Sequence, residues 1–282
     1  MKKTRHYELG MPALGYLGLS EAWLCRELGD LHWNLICDGL NTVSSRLEDS
    51  IGNRLYATFT RLKYSIKPGL DGFKENDELI LDADISRYGA SLFFSETKGT
   101  LDSDTSDKAT HATATIKAAL MSTFSSREGD DNKALTRGEP LLPPDFSIPE
   151  QAAMPEFGKV YRKHRGVSWT DPIFETQYEL NPFYDINGVS LVYFAAYPLI
   201  ADICELRFTK TAYAERGIDA LAMGTVERDV FYFANCASNE AIIYQLHKIT
   251  LTDTGYTSTA TLTRSSDGKL MAELQTRKVL QF

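Results

Sequence analysis

Cysteine is scarce in this chain: Cys25, Cys37, Cys204 and Cys236 are the only four in 282 residues, and no two share a C-x-x-C spacing. A chain of this size needs no disulfide staples, so reduced thiols in a cytoplasmic setting are expected. Long apolar runs are missing as well. Nowhere does the sequence approach the roughly 18 uninterrupted apolar residues of a membrane helix, and the basic start MKKTRHYELG is followed by no apolar h-region. Neither a membrane span nor export by a signal peptide is expected. Positive charge is in deficit, with Lys plus Arg at 30 against Asp plus Glu at 38 and a net charge of -8. That balance excludes a protein whose main task is to neutralise a nucleic-acid backbone, and it obliges any anionic ligand to meet a local basic patch. The five histidines include no H-E-x-x-H or related spacing, so no metal is expected. Walker A loops, Rossmann fingerprints and G-x-S-x-G elbows are likewise missing.

What is present suffices for a large core, since 43% of residues are apolar and 24% charged. The length fits one oversized domain or two halves of about 140 residues. Residues 11–41 read as helical, with Leu19, Trp23, Leu28, Leu31, Leu35 and Ile36 at three- and four-residue steps. Gly29 would break this unit in two, Asp30 would cap the second helix, and Gly39 would end it. Strands are expected at 54–66, 77–87, 89–100 and 111–124, rich in β-branched and aromatic residues. The stretch 125–158 carries Pro140, Pro143, Pro144, Pro149 and Pro155 with no sustained period and reads as a linker. Beyond it, 160–172 and 173–180 look extended, the segment after Gly188 turns helical, and strands follow at 221–233, 241–251, 256–264 and 270–279.

The two halves repeat one order, helix and then antiparallel strands, over 1–124 and 159–282. The class is α+β. A helix wrapped by a bent antiparallel sheet is the hot-dog architecture, and two tandem copies make a double hot dog.

The segment Asp185-Ile-Asn187-Gly188-Val189-Ser-Leu-Val-Tyr193-Phe-Ala-Ala-Tyr197 resembles the Asp-x-x-Gly and aromatic-helix element of hot-dog acyl-CoA thioesterases. In that family the glycine admits a thioester carbonyl to backbone N–H groups that stabilise oxyanion character. The plainer alternative is a turn at Asn187-Gly188 with Asp185 as a helix cap. A wider resemblance rests on GMPALGYLGLSEAWLCRELGDLHWNLI, GNRLYATFTRL, DINGVSLVYFAAYP and ERDVFYFANC, which look like the bifunctional acyltransferase/decarboxylase family of the leinamycin polyketide pathway. That resemblance implies a homodimeric double hot dog that takes methylmalonyl-CoA, loses carbon dioxide and delivers propionyl to the phosphopantetheine thiol of an acyl carrier protein, with no cofactor beyond the coenzyme A thioester itself.

The same resemblance implies a catalytic tyrosine, and Tyr56 in RLYATF fits that position. Decarboxylating a malonyl-type thioester needs no base, because the departing carboxylate supplies the electrons; it needs donors for the enolate oxygen and an acid for the carbon. A phenol can be that acid, or an acyl acceptor; a strand tyrosine can equally be packing. His32 and Trp33, expected in the first turn of a second helix after Asp30, would face substrate there, or serve as a hydrogen-bonded histidine beside a buried indole. Among the other histidines, His6 falls in a terminus expected to fray, His111 and His247 in strands, and His164 in a basic run. That run supplies Lys159, Arg162, Lys163 and Arg165, which suit coenzyme A phosphates or an acidic carrier protein, or else a solvated strand edge. Trp33, Tyr193, Phe194 and Tyr197 would line a pantetheine tunnel or form plain core. Hydrolysis or dehydration with Asp185 as base, and non-catalytic acyl or carrier binding, are the competing functions.

Overall fold

The computed structural model describes residues 1–102, 114–127, 135–169 and 171–281. The start of the strand expected at 111–124, His111 included, and residues 128–134 of the expected linker lie outside the described residues. In chain order the first half comprises β1 (Lys2–Glu8), the short ladder β2 (Leu14–Gly15) and β3 (Gly18–Leu19), α1 (Glu21–Gly39), β4 (Tyr56–Lys67), β5 (Glu78–Tyr88), β6 (Leu92–Leu101), β7 (Thr115–Arg127) and β8 (Leu135–Gly138). Then come α2 (Glu156–His164), β9 (Phe174–Glu179), α3 (Ala196–Ala214), β10 (Met223–Tyr232), β11 (Ala241–Thr252), β12 (Gly255–Arg264) and β13 (Leu270–Leu280).

Eleven strands form one antiparallel sheet in the order β1-β5-β6-β7-β4-β10-β13-β12-β11-β9, with β8 paired to β7. Read inward from each edge, the halves match strand for strand: β1, β5, β6, β7, β4 against β9, β11, β12, β13, β10. In each half the outermost strand precedes the helix in sequence. Alternation explains why the sheet covers one helix per half. On β5, Leu79, Leu81, Ala83 and Ile85 are buried while Glu78, Asp82 and Asp84 are exposed, the period of two that puts apolar side chains on one face. The fold is therefore a double hot dog, with α1 and α3 each held against its own half of a continuous sheet.

The halves meet where β4 pairs with β10, in register from Arg61↔Phe231 to Ser65↔Glu227. Charge is paired on both faces of this seam. On the outer face Arg61 grips Asp229 through two hydrogen bonds, Nε to Oδ1 at 2.8 Å and Nη2 to Oδ2 at 2.6 Å. On the helix face the fully buried Arg228 lies 2.7 Å from Glu21 and 2.8 Å from Asp202, and Asp202 is also 2.7 Å from Lys278. The Tyr64 phenol donates to Glu21. Glu21 and Tyr64 belong to the first half and the rest to the second, so removing one of the charged partners would leave a buried charge unbalanced at the joint.

α1 is one uninterrupted helix, which corrects the expected break at Gly29. Its cap is Ser20, whose Oγ accepts from Trp23 N at 3.3 Å. Leu24, Leu28, Leu31 and Leu35 form its buried stripe, each adding about 1.5–3 kcal/mol by leaving water. Asp30 is a mid-helix surface residue, 2.7 Å from Arg5 of β1. Gly29 serves close packing: a Cβ there would lie 2.3 Å from Cζ of Phe194. His32 and Trp33 consequently sit in mid-helix, where backbone N–H groups are consumed by the helix itself, and no anion site arises at them.

The N-terminus, expected to fray, is strand β1, paired with β5 from Lys2↔Asp84 to Glu8↔Glu78 with His6 opposite Ile80. Residues 156–164, expected as linker up to 158 and as extended from 160, are helix α2. The proline-bearing stretch before it is packed against the first half, with Ile148 and Met154 buried and Arg87 N donating to Pro149 O at 2.9 Å. α2 lies on the outer face of the sheet, over Phe94 and Met121. Helix α3 begins at Ala196 rather than just after Gly188.

Candidate active site at the junction of the two halves

Residues 185–193 form a closed turn ahead of α3. Ile186 and Val192 bridge its base, Asn187 N donates to Leu191 O at 2.8 Å, and Tyr193 N donates to Asp185 O at 2.7 Å. The Asn187 side chain fills the turn: its Oδ1 accepts from Val189 N at 3.1 Å and Leu191 N at 3.0 Å. Asn235 clamps the far limb, accepting from Val192 N and donating to Val192 O, both at 3.0 Å. Asn187 is thus a scaffold residue. Gly188, at the tip, is open: a Cβ there would meet nothing within 4 Å, and its N–H has no acceptor among the described residues.

Asp185 is buried, with 1% of its surface exposed. Its Oδ2 accepts from the Tyr178 phenol at 3.0 Å and from Asn181 N at 2.7 Å. Burial, together with the Asp185 charge and hydrogen bond, pushes the Tyr178 phenol up to about 12. The carboxylate is a buckle that ties β9 to the turn. It does not cap α3, whose N-cap is Ala195.

His32 is also buried, at 1% exposure. Its ring nitrogens lie 2.6 Å from Ser95 Oγ and 2.7 Å from Ser122 Oγ, and burial pushes its pKa down to about 3. It is a neutral imidazole spanning β6 and β7 beneath α1. Beside it, Phe59 stacks toward Phe194 with centroids 4.1 Å apart, and Phe194 meets Tyr193 at 4.9 Å. Trp33 is half-buried against the same core. Tyr197 is core too, its phenol donating to Ala234 O at 3.0 Å.

Tyr56 stands apart from His32. The residues of β4 that face the helix are Leu62, Tyr64 and Ile66, opposite Leu120, Ala118 and Ile116. A bulge at Thr60 keeps Phe59 on that face, opposite Ser122, and sends Tyr56 to the outer face, opposite Ser125. Arg54 lies over the half-buried Tyr56 ring, 5.0 Å from its centroid. Two residues beyond Ser125, on the same face of β7, Arg127 donates to Val189 O at 3.0 Å. The end of β7, next to the strand end that carries Tyr56, therefore reaches the turn that carries Gly188 and joins first-half and second-half residues. Of the expected site residues, Gly188 and Val189 lie in this turn, which Arg127 ties to the end of β7 beside Tyr56, while His32, Asn187 and Asp185 make hydrogen bonds within the scaffold. Asn235 and Arg127 were not singled out from sequence, although Asn235 lies in the segment ERDVFYFANC; only the tertiary fold brings them to the turn.

Lys159, Arg162, Lys163 and Arg165 are exposed on or just after α2. They lie on a helix, not on the solvated strand edge that was the alternative expectation. Two clefts lie elsewhere on the outer face: one of about 730 Å³ bordered by Lys2, Asp82, Glu96, Lys98, Lys117 and Glu227, and one of about 310 Å³ bordered by Trp169, His247, Gln245 and Thr261. Neither contains Tyr56 or Gly188. Among the described residues no helix is long and apolar enough to cross a membrane.

The architecture and the junction turn place the chain in the class of double-hot-dog proteins. Within that class it is similar in structure to the 12:0-ACP thioesterase from Umbellularia californica, at 9% identity with a TM-score of 0.63 over 99% of this chain and 98% of that one. A protein from Lactobacillus plantarum assigned as an oleoyl thioesterase gives 12% identity and a TM-score of 0.66, covering 100% and 96%. An acyl-ACP thioesterase from Bacteroides thetaiotaomicron gives 10% and 0.57, covering 98% and 97%. At these identities the likeness is one of fold. No protein-family model matches the sequence, and no curated protein matches it either.

Proposed function

We propose that this chain is an acyl-thioester enzyme that decarboxylates methylmalonyl-CoA, or a close malonyl analogue, and transfers the resulting acyl group to the thiol of an acyl carrier protein. The observation that carries the reading is the contrast within the junction: the Gly188 N–H is open and unpaired, whereas Asp185 is buried and engaged. Such a site offers a donor for an enolate oxygen, while the Asp185 carboxylate is not free to activate water. Decarboxylation suits it, because the breaking carbon–carbon bond itself delivers the electron pair to the thioester.

In the proposed sequence the substrate carboxylate leaves as carbon dioxide, its bonding electrons move onto the thioester oxygen, and the Gly188 N–H stabilises the enolate. The Tyr56 phenol then gives its proton to the α-carbon, and solvent restores it. The carrier thiol attacks the new acyl thioester, releasing coenzyme A as the free thiol. The structural likeness to proteins named as acyl-ACP thioesterases supports a thioester substrate and a carrier-borne acyl group.

The test is the intact mass of a carrier protein after incubation with malonyl-, methylmalonyl- and propionyl-CoA. Decarboxylative loading adds a propionyl mass from methylmalonyl-CoA. Release of free acid without loading would make the protein a hydrolase, and no change in any species would make it a binder. Tyr56→Phe is expected to fold normally and to lower loading by at least 100-fold; near-normal loading by that variant removes Tyr56 from the chemistry.

A further inference from the structure

The basic face of α2 is a concentrated positive patch in a chain of net charge -8. Lys159, Arg162 and Lys163 are spaced i, i+3 and i+4, which puts their side chains on one side of the helix, and Arg165 follows immediately. All four are exposed. Lys159 lies 3.7 Å from Glu156, itself exposed, and among the described residues Arg162, Lys163 and Arg165 have no carboxylate partner.

The opposite side of the same helix is firmly seated. Phe157 O accepts from Arg61 of β4 at 2.7 Å, the Tyr161 phenol donates to Tyr232 O of β10 at 3.0 Å, and His164 Nδ1 lies 3.0 Å from Glu273 of β13. His164 also stacks on Phe231 with centroids 4.1 Å apart. α2 is therefore a rigid strap across the seam between the halves, and its charged face cannot turn inward. It is also one side chain removed from the junction turn: Tyr232, whose carbonyl Tyr161 holds, donates from its own phenol to Phe194 O at 3.0 Å.

We propose that this face docks an acidic helix of the acyl carrier protein, the acyl acceptor in the function proposed above, on which this inference rests. Shape selects the occupant. Small anionic ligands such as coenzyme A phosphates take concave sites, whereas these four residues line neither of the two clefts described above and lie exposed on a helix. The patch spans about 9 Å along the helix at 1.5 Å per residue, the scale of one helix laid on another rather than of a nucleic-acid track. Charge complementarity of this kind acts chiefly on encounter rate and partner choice, so the affinity should be salt-sensitive.

The experiment compares the full-length protein with the triple variant Lys159→Glu, Arg162→Glu, Lys163→Glu and with a control carrying Lys98→Glu and Lys117→Glu on the open sheet face. Carrier affinity is measured by calorimetry at low and high salt, and carbon dioxide release from free methylmalonyl-CoA is measured separately. The inference expects carrier binding that weakens at least tenfold with added salt, a loss of at least tenfold in the α2 variant, and little change in the control. Release of carbon dioxide from the CoA substrate should stay within twofold of wild type. Equal carrier affinity in both variants overturns the docking site, and so does a raised KM for methylmalonyl-CoA in the α2 variant with unchanged carrier binding, which would make the patch a coenzyme site. Salt-sensitive carrier binding through α2 by a protein that turns over no thioester would leave the docking site standing and sink the proposed reaction instead.

Discussion

Gly29→Ala is the sharpest probe of how α1 meets the junction. On an exposed helix this substitution stabilises by about 1 kcal/mol, because alanine loses less backbone freedom on folding. Here the new methyl would lie 2.3 Å from Cζ and 2.7 Å from Cε1 of Phe194, against an ordinary carbon contact of about 3.5–4 Å. The ring has little room to retreat: Phe59 lies 4.1 Å away and Tyr193 4.9 Å away by centroid, and the Phe194 carbonyl is tied to Tyr232. Overpacking of this kind costs about 1–3 kcal/mol, so the net expectation is a loss of up to about 2 kcal/mol. In a Phe194→Ala background the obstacle is gone, and the same substitution should stabilise by about 1 kcal/mol. Urea unfolding of the four proteins should therefore yield a coupling of about 1–3 kcal/mol, with the substitution stabilising only in the Phe194→Ala background. A Gly29→Ala effect that is the same in both backgrounds would refute the close approach of Phe194 to α1.

Two other expectations follow from buried groups. Asp185→Asn should lower stability by about 1–3 kcal/mol, since it weakens charge-assisted bonds from Tyr178 and Asn181, while leaving most of the turnover; a dead enzyme with an unchanged melting temperature would restore Asp185 as a catalytic base. His32 is held neutral down to about pH 3, whereas an unfolded histidine takes up a proton near pH 6.5. Its contribution is complete above about pH 6.5 and is lost as pH falls toward 3, at about 1.4 kcal/mol per pH unit. The stability of wild type should consequently fall more steeply than that of His32→Gln between pH 6 and 4, and parallel profiles in urea titrations would contradict the burial argument.

The strands were legible because their signal is local. β5, β11, β12 and β13 announce themselves by alternation, and their observed limits fall within a few residues of those read from the sequence. Gly29 misled for a physical reason: a glycine can end a helix or admit a neighbour, and the choice depends on Phe194, 165 positions away in sequence. α2 misled because its polar face, rich in Arg and Lys, hides the 3.6-residue period of Phe157, Tyr161 and His164. β1 was missed because its alternation is carried by long polar side chains such as Lys3, Arg5 and Tyr7, which bury their stems against α1 while their ends pair with Asp38, Glu27 and Asp30.

At the site the division is similar. Composition and repeat order by themselves determined an α+β chain of two like halves, because hydrophobic periodicity reports which face of each element leaves water. They also singled out the D-x-N-G turn and the basic run at 159–165. Which groups are free to do chemistry was decided only by the tertiary structure. A buried hydrogen bond turns Asp185 into a buckle, two serines turn His32 into core, and a single bulge at Thr60 sends Tyr56 to the opposite face of its strand. Those outcomes depend on partners from distant segments, and no local pattern in the chain encodes them.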